Sequence, residues 1–149
     1  MAGDRNPVPV NISLKHGTLS QIFDAIVAAD PSYRWTATPS GSVHFLAGNP
    51  LPLVNVRVRR FDGKNPSRFD EGGVDQIPEV SAWLKKNNCI MPHMEIVLGQ
   101  RPEEWQPFEV HTQGVPLSAI LDQLALKSGG YFWSLVQYER QACEMDVQF

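Results

Sequence analysis

The stretch "LSQIFDAIVAADPSYRW" runs from Leu19 to Trp35, and "LSAILDQLALKSGGYFW" runs from Leu117 to Trp133. The second phrase stands 98 positions after the first, and the two align over 17 positions without a gap. Six positions are identical: Leu19/Leu117, Ser20/Ser118, Ile22/Ile120, Asp24/Asp122, Tyr33/Tyr131 and Trp35/Trp133. Background residue usage predicts about one identity in such a window, so chance explains the match poorly. The likeness continues in pattern, since Phe23 aligns with Leu121 and Ile26 with Leu124. In the first phrase Leu19, Ile22, Phe23, Ile26 and Val27 recur at i, i+3, i+4, i+7 and i+8, which is one stripe of a helix. Leu117, Ile120, Leu121, Leu124 and Ala125 make the same stripe in the second.

Working outward, Thr18 and Gln21 have the spacing of a capping box at the start of the first helix. Pro31 ends that helix, because the residue before a proline resists helical angles. Ahead of it, Val10, Ile12 and Leu14 alternate with polar residues as a half-buried strand does. Behind it, Tyr33 and Trp35 share one face of a strand, "TPSG" turns the chain, and "SVHFL" returns. Around the second phrase, Phe108 and Val110 alternate as a strand, and "TQGVP" reads as a turn that puts Pro116 at the first helical position. Gly129 and Gly130 close that helix, Tyr131 and Trp133 open a strand through Leu135, and "MDVQF" returns as its hairpin partner.

The expected class is therefore α+β: two β-α-β-β repeats, at about 8–48 and 106–149, with a central β-α-β segment. In the centre, "LVNVRVRRF" alternates Val54, Val56 and Val58 with Asn55, Arg57 and Arg59 as a strand with one wet face. "DGKNPSRFDEGG" is a loop. "VDQIPEVSAWLKKNN" is a short helix with Val80, Trp83 and Leu84 on one side and Lys85 and Lys86 at its C-terminal end, where the helix dipole favours cations. "MEIVLGQ" reads as a further strand and "RPEEWQP" as a linker. The segments 1–49, 50–105 and 106–149 stand either as separate pieces or as one compact domain.

Composition is that of a globular protein, 42% hydrophobic and 19% charged. A net charge of -3 lacks the field that draws proteins onto phosphates, so no nucleic-acid partner is expected. No apolar run approaches the roughly 20 residues of a membrane helix, so no membrane insertion is expected. "MAGDRNPVPV" has no apolar core and is not a signal peptide; the protein is then cytoplasmic, or exported with its signal already removed. Cys89 and Cys143 have no metal-ligand spacing beside them. They are two buried thiols or one disulfide, with free thiols slightly favoured.

No residue pattern assigns chemistry. Asp24 and Asp122 occupy equivalent positions, but each lies on the polar flank of its helix, and a solvated face is the favoured reading. Ser20 and Ser118 sit in a first helical turn without a nucleophile elbow. His16, His44, His93 and His111 form no metal spacing and read as surface or loop residues. Glu103 and Glu104 read as solvated. There is no phosphate loop or dinucleotide fingerprint, so no catalytic residue, cofactor or metal is expected. Two binding candidates remain. Arg57, Arg59, Arg60, Lys64 and Arg68 form the densest charge, either the wet face of a strand or a docking patch for an acidic partner. Tyr33, Trp35, Tyr131 and Trp133 form either a stacking platform or, as favoured, core cover for the helices.

The phrases "NISLKHGTLSQIFDAIVAADPSYRW" and "FEVHTQGVPLSAILDQLALKSGGYFW" resemble the secretin and TonB N-terminal short domain, over about half the chain. That resemblance implies a small α+β module without catalytic residues, which mediates protein contacts in the periplasmic part of envelope assemblies. It carries over no functional residue. The expectation is a non-enzymatic, periplasmic or otherwise exported interaction module with protein partners. The alternative is a small-ligand binder or minor enzyme with a pocket between the two repeats.

Overall fold

The computed structural model describes residues 13, 15–47, 52–64, 73–91, 108–128, 133–139 and 143–148. The chain divides into two compact units, Met1–Pro50 and Leu51–Phe149, so the central stretch and the second phrase belong to one unit. Helices and strands mix in small sheets, an α+β architecture. Val10, Ile12 and Leu14 of the expected first strand, Gly129, Gly130, Tyr131, Arg68, His93, the "MEIVLGQ" strand and the "RPEEWQP" linker with Glu103 and Glu104 lie outside the described residues.

In the first unit, helix α1 spans Leu19–Ala29 and opens on the expected capping box. The Thr18 N–H donates to Gln21 Oε1 at 2.9 Å, and the Gln21 N–H donates back to Thr18 Oγ1 at 3.4 Å. The helix ends at Asp30, one residue before Pro31. Strands β1 (Tyr33–Ala37) and β2 (Val43–Ala47) then pair antiparallel, with Trp35 opposite Phe45. Gly41, at φ +90°, makes the turn between them, a backbone angle that side chains disfavour. No residue of α1 is fully buried, and Ile22 is half-buried.

The buried core lies in the second unit. Leu53, Val58, Val80, Val110, Leu117, Ile120, Leu121 and Met145 are sealed from solvent. Strand β3 spans Arg57–Lys64 and pairs antiparallel with β5, Glu109–Pro116. Helix α2, Pro78–Lys86, starts on a proline and buries Val80 and Leu84. A two-residue strand β4, Cys89–Ile90, runs parallel to β7, Cys143–Gln148, which is antiparallel to β6, Ser134–Glu139. Helix α3, Leu117–Ser128, follows β5 directly and carries the second apolar stripe. Ile120 is fully buried where its counterpart Ile22 is not.

Three expectations change. Cys89 and Cys143 are joined in a disulfide, not free. Their register pairing on adjacent parallel strands holds the two Cα atoms 4.5 Å apart, within bridging reach. Residues 52–55 form a 3-10 turn, so β3 begins at Arg57 rather than in the valine run. Strand β5 runs through the "TQGVP" tract to Pro116, so the helix begins at Leu117 and not at the proline. The Leu117 N–H donates to the Val56 carbonyl at 2.9 Å, which carries strand pairing into the helix start. Strand β5, ahead of the second phrase, takes its pairing from β3 of the central stretch.

Candidate functional site

Of the sequence's basic cluster, Arg57, Arg59, Arg60 and Lys64 fall on β3 of the β3–β5 ribbon. Simple alternation breaks there: Val58 and Phe61, three apart, are both buried, while Arg59 and Arg60 between them are both exposed. The register is the same on either side of this point, so no residue is inserted in one strand alone. The partner strand changes phase too: alternation from the buried Val110 ends where Gln113 and Gly114 are both exposed, with Gly114 at φ +67°. A left-handed angle that glycine adopts freely re-aims both strands and turns two adjacent arginines to water.

Arg57, Arg59 and Arg60 each have a local partner. Arg57 Nη1 donates to the Gly114 carbonyl at 2.7 Å. Arg59 donates to Glu79 Oε1 of α2 from Nε at 3.0 Å and from its backbone N–H at 3.2 Å. The Arg59 hydrogen bond holds the Glu79 carboxyl below its ordinary value. Arg60 Nε donates to Asp62 Oδ2. Lys64 stands opposite Glu109 in the ladder. Arg59 and Arg60 are therefore each balanced by a carboxylate, and that part of the patch is less basic than its sequence suggests.

His111 is the group that sequence reasoning undervalued. It lies on β5 directly opposite Asp62, with Glu109 two residues before it on the same face. Its Nδ1 is 2.7 Å from Asp62 Oδ1 and its Nε2 is 3.2 Å from Glu109 Oε2. The hydrogen bond to Asp62, then that to Glu109, raises the His111 pKa. The same His111 bond, then Arg60, lowers that of Asp62. The spacing of Glu109 and His111 was visible in "FEVHT", but Asp62 is 49 residues away and only the ladder brings it there. With a carboxylate at each ring nitrogen and the imidazole more than half exposed, this is an ion-pair network rather than a poised general base.

The aromatic candidates divide. Trp35 packs against Phe23 of α1, ring centroids 5.3 Å apart, and Phe23 meets Phe45 edge-on at 5.3 Å. Tyr33 stays exposed beside them. Trp133 is half-buried against the second unit's core. The aspartates that aligned between the phrases are not merely solvated. Trp35 Nε1 donates to Asp24 Oδ1 at 2.8 Å, and Trp133 Nε1 donates to Asp122 Oδ1 at 2.8 Å. Two of the six identical positions thus make one contact, formed twice across the same separation of 11 residues. Ser20 belongs to the helix cap, its Oγ 2.9 Å from Thr18 Oγ1. His16 is exposed, and His44 is half-buried on β2 opposite Thr36. Among the described residues no group of three or more His, Cys, Asp or Glu is placed to hold a metal ion, and no helix is long and apolar enough to cross a membrane.

No protein-family model, curated protein or solved structure matches the chain.

Proposed function

We propose that this chain is a non-enzymatic interaction or assembly module, exported into the envelope of a two-membrane bacterium, where it binds protein partners. One observation carries the reading: the aligned aspartates and tryptophans of the two phrases are used in the same bond, Asp24 to Trp35 and Asp122 to Trp133. Residues selected for chemistry would converge on a reacting atom; these bind a helix to a hairpin. The resemblance of both phrases to the secretin and TonB N-terminal short domain, a contact-making module, supports it. The Cys89–Cys143 disulfide supports export, since such bonds persist in oxidising compartments. Partner contact would combine strand addition at a sheet edge with steering by Arg57, Arg59 and Arg60. Among the described residues β6 pairs on one side only, with β7.

The test uses the full oxidised chain as bait against envelope and cytoplasmic fractions. Specific capture from the envelope, weakened when Arg57, Arg59 and Arg60 are all changed to Glu, is the expected result. Unchanged capture removes the arginines from the contact. Capture from the cytoplasmic fraction alone overturns the reading.

A further inference from the structure

An ionised carboxylate accepts hydrogen bonds and has no proton to give. His111 meets one carboxylate at each ring nitrogen, Asp62 at 2.7 Å and Glu109 at 3.2 Å. Both contacts are hydrogen bonds only when both nitrogens carry a proton. A neutral imidazole has one N–H, so one carboxylate would then face a nitrogen lone pair. The ladder itself sets this geometry, since Asp62 and His111 are directly paired and Glu109 lies one pleat further along β5.

We propose that Asp62, His111 and Glu109 form a proton-dependent clamp across the β3–β5 ribbon, closed on both sides by the imidazolium and opened on one side when His111 loses a proton. Among the described residues, charged groups face the clamp from three elements. On β3, Arg60 donates to the second oxygen of Asp62, and Lys64 stands opposite Glu109 in register. From α3, Lys127 Nζ donates to the Glu109 backbone carbonyl at 2.6 Å. From α2, Glu79 is engaged by Arg59. The Asp62 contact is the shorter of the two, so a neutral imidazole keeps its one proton there and the Glu109 contact is the one that opens.

The sign follows from the directions of both shifts. His111 is raised, so its contribution is complete below its unfolded value and is lost as pH rises through the folded one. Asp62 is lowered, so its contribution is present above its unfolded value and is lost as pH falls through the folded one. The clamp is closed between these limits. Opening it removes one positive charge from a face that otherwise balances Arg60 and His111 against Asp62 and Glu109. The clamp stands whether or not the chain binds a partner.

The experiment follows the His111 ring by NMR in the full isotope-labelled chain, from about pH 5 to about pH 9, with His111→Gln to assign the resonance. The expected midpoint lies above that of the same histidine in concentrated urea, with both ring nitrogens protonated below it. Asp62→Asn and Glu109→Gln should each lower the midpoint, and the double variant should bring it to the urea value. Amide exchange along Glu109–Gln113 should also rise with pH more steeply in the parent chain than in His111→Gln. A midpoint at or below the urea value, or one that neither carboxylate substitution moves, overturns the clamp.

Discussion

Thr112 shows how local the chemistry of this fold is. Its backbone pairs opposite Phe61, and its Oγ1 is buried without a hydrogen-bond partner. A buried hydroxyl left unpaired carries its desolvation cost with no compensating bond. Thr112→Val keeps the β-branched shape and removes that hydroxyl. It should raise stability by about 1 kcal/mol, read as a higher urea midpoint at unchanged slope; a lower midpoint would mean the hydroxyl does bond. Asp24 and Asp122 illustrate the opposite case. Their alignment was plain in the sequence, yet a carboxylate on a helix flank looks the same whether it meets water or an indole. Only the fold of the hairpin back over the helix distinguishes the two. The sequence therefore revealed the residues and hid the bond.

At the scale of elements, the 3.6-residue stripes of α1 and α3, the capping box of Thr18 and Gln21, and the hairpins after each helix were legible, because each is set by neighbours in sequence. The β3–β5 pairing was not, because it joins segments some 50 residues apart and its alternation changes phase midway. For the same reason the His111 network was invisible. Two glycines test this ribbon by different physics. Gly114 has open space around it but a φ of +67°. Gly63 has an ordinary angle, but an added Cβ would lie 2.6 Å from the buried Phe61 ring. Gly114→Val should therefore destabilise through backbone strain, by roughly 1–2 kcal/mol, and Gly114→Asn by less, since asparagine tolerates that region. Gly63→Ala should cost about 1–3 kcal/mol by forcing the ring aside, with Asn giving no relief. Equal behaviour of Asn and Val at position 114 in thermal melts would show that its angle is not the constraint.

At the scale of the whole molecule, the apolar core gathers in Leu51–Phe149, and one covalent link crosses it. The disulfide ties the two-residue strand β4 to β7 across a separation of 54 residues. Closing a loop of that length restricts the unfolded chain by about 4 kcal/mol in the chain-entropy account. Reduction, or Cys89→Ser with Cys143→Ser, should lower the urea midpoint by a corresponding amount; an unchanged midpoint would show that the bridge contributes nothing to the fold. The sequence left this pair undecided because only the parallel register of β4 on β7 brings the two cysteines together. The central claim is that one helix–hairpin phrase, written twice, is held each time by an indole bonded to a helix carboxylate. Its most direct measurement is a 15N-edited NMR spectrum of the indole N–H groups in the full chain, beside Asp24→Ala and Asp122→Ala. The account predicts that Asp24→Ala shifts the Trp35 indole alone and Asp122→Ala the Trp133 indole alone. Indole resonances that stay in place in both variants would contradict it.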